Sequence, residues 1–221
     1  MIAQPRRLAR NGAVLGAVVM LVCLAAAPAR AQSRDATAVF AGGCFWGVES
    51  VFEHVRGVRS ATAGYSGGSV ADPSYELVST GGTGHAESVR VVYDPSVVTY
   101  RQLLEVFFRV AHDPTTRDRQ GPDEGSQYRA IVFYRDSAQL AATRSYVADL
   151  TAQRAFSGPI VTEIRPFQAF YRAEAYHQHY AALHPHDLYI VINDAPKVGR
   201  LKRMFPALYV DESEARPPAR P

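Results

Sequence analysis

Residues 37–53 read TAVFAGGCFWGVESVFE and place a cysteine between an apolar run and a helical pattern. Thr37–Phe40 predicts a short buried strand, and Trp46–Glu53 predicts a helix because its apolar residues recur at helical spacing. The glycines around Cys44 allow a tight turn and a close approach of a ligand to the backbone. A cysteine in such a turn lies in the field of a helix N-terminus, which favours the thiolate. We therefore predict a nucleophilic thiol; the alternative is a buried structural cysteine, since this residue type is often buried.

Strand and helix patterns alternate along the rest of the chain. Further strands are predicted at Val58–Ala63, Glu87–Tyr93, Tyr128–Tyr134 and Ile160–Ile164. Further helices are predicted at Tyr100–Ala111, Ser137–Arg154 and Ala173–Leu183. Thr99 and Asp136 stand where two of these helices need an N-cap. The order of elements predicts an α/β fold, a two-layer α/β sandwich with a mixed sheet in a single domain.

The first 31 residues have the pattern of a signal peptide. Three arginines (Arg6, Arg7 and Arg10) precede an apolar run at 13–27, and Ala29-Arg30-Ala31 has the small-x-small form of a cleavage site. Cleavage after Ala31 predicts an exported, periplasmic protein without a membrane segment, and retention of the run as an anchor is the alternative. Residues 32–211 then form the folded domain, and the Pro-, Arg- and Glu-rich residues 212–221 form a disordered tail.

Removal of this segment changes the charge and the cysteine content. The whole chain carries a net charge of +3, but residues 1–31 hold four of its 24 Lys and Arg and none of its 21 Asp and Glu. The mature chain therefore has one more acidic than basic residue, which argues against a nucleic-acid-binding surface. Cys44 is its only cysteine, so no internal disulfide forms, and an idle thiol is a liability in an oxidising compartment.

Polar side chains from separate loops are candidates for chemistry beside the thiol. Glu87 follows a glycine-rich loop at 80–84, and a carboxylic acid near an apolar pocket can hold its proton towards neutral pH. Tyr75 and Tyr128 are candidate hydroxyl donors, and Asp123 could orient its loop or a substrate amide. Each also has a structural interpretation: a solvated carboxylate at a strand start, core tyrosines with satisfied hydroxyls, and a turn aspartate.

A series of motifs in a fixed order resembles the A-type peptide methionine sulfoxide reductases. The resemblance extends from about Thr37 to Tyr180, most of the mature chain. The motifs are Gly43-Cys44-Phe45-Trp46-Gly47, Gly64-Tyr65-Ser66-Gly67-Gly68, Thr83-Gly84-His85-Ala86-Glu87, Tyr93-Asp94-Pro95, His112-Asp113-Pro114-Thr115, Arg119-Gln120-Gly121, Gln127-Tyr128-Arg129, Phe170-Tyr171 and Tyr176-His177-Gln178-His179-Tyr180.

The resemblance implies a role for each candidate residue. Cys44 would attack the sulfoxide sulfur, and Glu87 would protonate the sulfoxide oxygen, with Tyr75 and Tyr128 as hydrogen-bond donors to it. The family acts on the S epimer, uses neither metal nor organic cofactor, and leaves methionine and a cysteine sulfenic acid. The remaining roles are substrate binding: a wall for the methyl group from Phe45 and Trp46, and a polar side from Asp123 and Tyr180.

The chain departs from many such relatives in its C-terminal part. It has no resolving cysteine after Cys44, so a thioredoxin-like or other external thiol is expected to regenerate the enzyme, which we expect to be a monomer. The residues in place of the resolving cysteines predict an extended segment at Leu188–Asp194 and a short helix within Leu201–Tyr209.

Two other classes of function are compatible with parts of the sequence. The cysteine run superficially resembles that of papain-like proteases, and His177 to His186 with Asn193 lie about 130–150 residues downstream, near the spacing of that family. Two His-x-His pairs, at 177–179 and 184–186, could instead form a metal-binding module, although a helix would make their side chains diverge. A binding domain without activity would leave Cys44 without a purpose.

Overall fold

A six-stranded sheet forms the centre of the computed structural model, which describes residues 1–2 and 35–211. Apart from residues 1–2, the predicted signal peptide lies outside the described residues, as does the predicted disordered tail. The sheet order is β7-β6-β1-β3-β2-β8, and only the β6–β7 pair is parallel, so the predicted mixed sheet is confirmed. The strands, including a separate β4–β5 pair, are β1 (Ala36–Ala41), β2 (Val58–Ser66), β3 (Ala86–Tyr93), β4 (Arg119–Gln120), β5 (Asp123–Glu124), β6 (Ile131–Tyr134), β7 (Glu163–Pro166) and β8 (Phe170–Arg172).

Helices pack against this sheet and complete the α/β fold. Two of them begin at the predicted caps: the Thr99 side chain accepts from the N–H of Gln102, and the Asp136 side chain accepts from the N–H of Gln139. The helices are α1 (Phe45–Glu53), α2 (Tyr75–Ser79), α3 (Tyr100–Val106, continued by a π-helical turn Phe107–Ala111), α4 (Ser137–Ala152), α5 (Tyr180–Leu183) and α6 (Ala195–Met204, preceded by a π-helical turn Ile190–Asp194). Short 3₁₀ turns occur at Ser126–Tyr128 and Ala175–His177.

The main core lies between the helices and one face of the sheet. Phe40 of β1 stacks on Phe52 of α1, with 5.2 Å between ring centroids, and on Phe107, with 4.7 Å. Its neighbour Val39 points to the other face and packs in a smaller cluster with Phe133. This alternation is typical of a strand buried on both faces. Packing on both sides holds β1 in place, and the turn that contains Cys44 begins directly after it.

The structure differs from the sequence-based predictions in several segments, and the strands predicted at Tyr128–Tyr134 and Ile160–Ile164 start later, at Ile131 and Glu163. Leu188–Asp194, predicted to be extended, contains a π-helical turn that continues into α6. The predicted helix Ala173–Leu183 consists of a 3₁₀ turn and the short α5, because His179 between them has a left-handed backbone (φ 55°). The strand predicted to end at Ala63 is longer, since β2 continues to Ser66 and pairs there with β8.

No helix within the described residues is both long and apolar enough to cross a membrane.

Candidate active site

The turn between β1 and α1 places Cys44 at the start of the helix. Cys44 lies in the predicted strand-to-helix turn, is the N-cap residue of α1, and is 8% exposed. Gly43 has a φ of +90°, and a Cβ atom at this position would lie 2.5 Å from Cβ of Gln120. Only glycine meets both conditions without strain. The turn therefore depends on Gly43 to hold the thiol at the helix N-terminus.

The resting state of the Cys44 thiol differs from the prediction. Burial raises its pKa well above the usual value, and the negative charges of Glu87 and Asp194 raise it further. The backbone N–H of Trp46 and the charge of Lys197 lower the pKa, but by less. Desolvation therefore outweighs the helix N-terminus, and the prediction of a favoured thiolate was wrong for the unliganded site. Ionisation of this thiol requires a further positive influence at the site.

Glu87 of β3 lies beside Cys44 and is 3% exposed. Its Oε2 accepts a hydrogen bond of 3.0 Å from the backbone N–H of Phe45. Burial raises the pKa of Glu87 to about 8; the hydrogen bond opposes this rise, while the charges of Asp123 and Asp194 add to it. The carboxyl group therefore keeps its proton at neutral pH, as predicted for an acid in an apolar setting. An acid in this state can donate a proton during a reaction at the thiol.

Two tyrosine hydroxyls reach the same place from different elements. Tyr75 begins α2, and Tyr128 ends a 3₁₀ turn. Burial, followed by the charge of Glu87, raises the pKa of Tyr75 to about 12 and also raises that of Tyr128. The charges of Cys44 and Asp123 act on both phenols, which places the two hydroxyls around the thiol. Neither hydroxyl hydrogen-bonds to another described residue, so both can donate to a substrate.

Phe45 and Trp46 form an aromatic wall next to Cys44. The Trp46 ring stacks on Tyr180, with 3.8 Å between the ring centroids and 10° between the planes. Its indole N–H donates a hydrogen bond of 3.1 Å to Nδ1 of His177, whose ring lies 4.9 Å from that of Phe45. The buried histidine and the stacked tyrosine hold the indole in one orientation. A fixed apolar wall of this kind suits a methyl group.

The polar side of the site contains a residue that the sequence analysis missed. The hydroxyl of Tyr189 donates to Oδ2 of Asp123, and its ring packs edge-on against Trp46 with 5.9 Å between centroids. The hydroxyl of Tyr180, assigned to the polar side by resemblance, donates to Asp187 at 3.3 Å, so its ring serves the aromatic wall. Tyr189 stands within an apolar run, so the sequence alone did not distinguish it from an ordinary core residue.

The C-terminal segment packs on α1 beside the cysteine. A Cβ atom at Gly47 would lie 2.1 Å from Oδ1 of Asp194, so glycine is what allows this approach. Asp194 is 1% exposed, and its Oδ1 accepts a hydrogen bond of 3.0 Å from Nζ of Lys197. Its Oδ2 has no hydrogen-bond partner among the described residues. Neither charge was predicted, because no local motif relates α6 to Cys44.

The histidines do not reproduce the pair needed by a cysteine hydrolase. Nδ1 of His177 accepts from Trp46, and His184 packs against Tyr180 with 4.3 Å between ring centroids. Across residues 35–211, no histidine hydrogen-bonds to Cys44. The geometry therefore lacks the base that would activate a hydrolytic cysteine.

The alternative of a metal-binding module is also not assembled from its His-x-His pairs. Within the described part of the chain, the group with metal-ligand geometry is Glu49, Glu53 and His179, which contains a single histidine of those pairs. Its ligand atoms already have protein partners: Glu49 accepts from the backbone N–H groups of Ala63 and His179, and Glu53 contacts Nδ1 of His179. These contacts tie α1 to the chain before α5.

Comparisons of sequence agree with this site. The model of the family described as peptide methionine sulfoxide reductase matches residues 36–207. A peptide methionine sulfoxide reductase of Mesorhizobium japonicum is 52% identical over 183 residues, which cover 83% of this chain and 94% of the relative. One from Halobacterium salinarum is 50% identical over 171 residues, covering 77% of this chain and 96% of the relative.

Solved structures show the same fold. Reduced Mxr1 from Saccharomyces cerevisiae has a TM-score of 0.64 and 35% identity, covering 70% of this chain and 88% of that one. Methionine sulfoxide reductase A of Corynebacterium diphtheriae has a TM-score of 0.61 and 35% identity, covering 71% and 78%.

Proposed function

This chain belongs to the peptide methionine sulfoxide reductase family, and we propose from the geometry around Cys44 how its residues divide the reaction. The enzyme reduces methionine sulfoxide to methionine, repairs oxidised proteins in this way, and is regenerated by thiols. The observation that carries the division of roles is Glu87, a buried carboxylic acid with a pKa of about 8 beside the thiol.

Cys44 attacks the sulfoxide sulfur as a thiolate while Glu87 gives its proton to the sulfoxide oxygen. The oxygen passes to Cys44 as the hydroxyl of a sulfenic acid, and the proton released by the thiol restores Glu87. The substrate sulfur gains the electron pair that Cys44 loses and leaves as a thioether. Protonation is necessary because a sulfoxide is a weak electrophile, and general acid catalysis of this kind contributes about 10²–10⁴ in rate.

The raised pKa of the resting thiol fits this sequence of events. The carboxylate charge of Glu87 is one cause of the raised pKa of Cys44, and it vanishes when Glu87 is protonated. Positive charge develops on the sulfoxide sulfur as its oxygen takes the proton, and this charge favours the thiolate. Tyr75 and Tyr128, whose hydroxyls are free to donate, hold the oxygen in place. The thiolate thus forms when its target is bound.

The arrangement of these groups also explains a preference for one epimer. The sulfoxide sulfur carries a methyl group, an oxygen and the rest of the side chain. The methyl group packs against Phe45 and Trp46, and the oxygen points to Glu87. The methyl group, the oxygen and the attacking thiolate then have fixed positions around the sulfur. The rest of the side chain can leave through the opening of the site in one configuration only, which we assign as S. Asp123, held by Tyr189, bonds the polar backbone of the substrate.

We also propose that the protein is exported to the periplasm as a monomer with residues 1–31 as its signal peptide. The arginines, the apolar run and the cleavage pattern of that segment support this. Residues 32–211 would be the reductase domain, 212–221 a disordered tail, and the reductant a thioredoxin-like or other external thiol. N-terminal sequencing of the protein from the periplasmic fraction should start at Gln32; a start at Met1 would contradict export with cleavage.

A peptide carrying racemic methionine sulfoxide tests the reaction and the nucleophile together. With dithiothreitol as reductant, the enzyme should consume the S epimer and leave the R epimer, and Cys44→Ser should consume neither. Consumption of both epimers would contradict the assigned arrangement, and an active Cys44→Ser variant would contradict the nucleophile. Circular dichroism spectra of both proteins control for folding.

A further inference from the structure

A cavity of about 330 Å³ borders Cys44 on the side of the C-terminal segment. We call it the α6 cavity; the lining residues that matter here are Cys44, Gln120, Tyr189, Asn193, Lys197 and Arg200. Neither Glu87 nor Trp46 lines it. Asp123 and Tyr189, from the polar side of the substrate site, also line it, so the α6 cavity reaches the thiol from that polar side and not past the acid or the aromatic wall.

One positive charge that lines this cavity has no ionic partner among the described residues. Lys197 and Arg200 stand three residues apart on α6, on one face of the helix. Lys197 is paired with Asp194, whereas exposed Arg200 forms no ion pair with another described residue.

Two carboxylates also line the α6 cavity, but both are already hydrogen-bonded. Asp113 accepts from the backbone N–H and the hydroxyl of Thr115, at 2.9 and 2.6 Å, and Asp123 accepts from Tyr189. These hydrogen bonds come from uncharged donors, so an incoming anion has to bind beside the guanidinium of Arg200, whose natural ligand is a carboxylate.

The chemistry of Cys44 identifies what carries this carboxylate. A thiolate that displaces oxygen from a sulfenic acid attacks on the side opposite the breaking S–O bond. The oxygen arrives from the side of Glu87, so the attacking thiol must come from another side. Cys44 is the only cysteine of the predicted mature chain, and so this thiol belongs to another molecule.

We propose that the α6 cavity is the binding site of the regenerating thiol, a low-molecular-weight thiol with a carboxylate that Arg200 and Lys197 bind. This assignment rests on the proposed function of Cys44. The first thiol forms a disulfide with Cys44, the S–O bond breaks, and the leaving hydroxide takes the thiol proton and departs as water. A second thiol attacks the outer sulfur of this mixed disulfide, which frees Cys44 and releases the oxidised small disulfide. The two thiols supply the two electrons.

Three small thiols of different charge test the site. The enzyme is first converted to the sulfenic acid with one equivalent of methionine sulfoxide peptide, and the methionine formed in this step is measured. The rate of disappearance of the sulfenic acid is then followed with anionic 3-mercaptopropionate, neutral 2-mercaptoethanol and cationic cysteamine. The thiols differ in intrinsic reactivity, so the wild-type rate with each thiol is divided by the rate of Arg200→Gln with the same thiol. The intrinsic reactivity cancels from this ratio.

The expected result is selective for charge. Arg200→Gln should slow regeneration by 3-mercaptopropionate about tenfold, the loss of one charge-assisted hydrogen bond, and change the rate with 2-mercaptoethanol less than about twofold. Arg203→Gln is the matched control, because Arg203 is exposed on the same helix but does not line the cavity. It should leave the rates with all three thiols unchanged.

Each other result overturns a specific part of the proposal. If no methionine forms in the first step, the proposed function fails before the thiol site is tested. If methionine forms but Arg200→Gln slows all three thiols equally or none, the thiol site is wrong. If the variant instead slows the first step with N-acetylmethionine sulfoxide but not with its uncharged methyl ester, the cavity binds the carboxylate of the substrate, and the thiol site is again wrong.

Discussion

Replacement of Glu87 by glutamine removes the acidic proton but keeps the shape of the side chain. The amide has the size of the carboxyl group, and its oxygen can accept the 3.0 Å hydrogen bond from the N–H of Phe45. With a pKa of about 8, about nine in ten Glu87 side chains carry a proton at pH 7, a proton that glutamine lacks. Sulfoxide reduction in a single turnover should therefore slow by about 10²–10⁴.

The same substitution should make the thiol more reactive towards an ordinary electrophile. The negative charge of Glu87 is the second cause of the raised pKa of Cys44, after burial, so its removal lowers that pKa. Alkylation of Cys44 by iodoacetamide at pH 8–9, where Glu87 is largely ionised in the wild type, should become faster in Glu87→Gln. Alkylation needs no acid because iodide is a good leaving group. Peptide mapping by mass spectrometry gives this rate, and stopped single turnovers give the rate of reduction.

Opposite changes of the two rates are the signature of a proton donor. A distorted site would slow both reactions, and a Glu87 with only a structural role would leave reduction within about tenfold of the wild type. Either result would refute the role assigned to Glu87.

Three further predictions use other features of the site. The free energy of unfolding of the wild type, measured by urea denaturation relative to Glu87→Gln, should fall by about 3 kcal/mol between pH 5 and 8. The reason is that the folded state holds a proton on Glu87 that the unfolded chain releases near pH 4.5. A difference that stays constant with pH would contradict the raised pKa of Glu87. Tyr75→Phe and Tyr128→Phe should each slow single-turnover reduction moderately, and the double variant by about 10² or more, without changing urea stability by more than about 1 kcal/mol; a double variant with wild-type rates would argue against oxygen binding by these phenols. Gly43→Ala should lower the free energy of unfolding by about 1–3 kcal/mol or more, because φ is +90° and the new Cβ would lie 2.5 Å from Cβ of Gln120; unchanged stability would show that the turn relaxes freely.

The elements with local signals were predictable from the chain alone. The apolar run before Cys44, the N-cap at Thr99 and the N-cap at Asp136 fixed the starts of three helices to within about one residue. The motifs around Cys44 and Glu87 also carried the family resemblance that the comparisons confirm. In these places, the physical cause of the structure lies within a few residues of its effect.

The course of the C-terminal segment was not predictable in the same way. Its apolar residues suggested an extended strand, but Ile190 and Asp194 are buried one helical turn apart, and Pro196 fits the first turn of α6. The segment has a helical conformation because it packs on α1 at Gly47, a surface provided by a distant part of the chain. Tyr189 and Lys197 consequently joined the site without any sequence motif that relates them to it.

The sequence thus pointed to the groups to which we assign the chemistry: a thiol after a glycine turn, an acid at a strand start, and hydroxyls in nearby loops. The tertiary structure decided their protonation and their access. Cys44 keeps its proton against the pull of the helix N-terminus, and Glu87 holds a proton to about pH 8. Both follow from desolvation, which depends on every segment packed around a group and not on its neighbours in sequence. The α6 cavity, built by residues far from Cys44 along the chain, has the same origin.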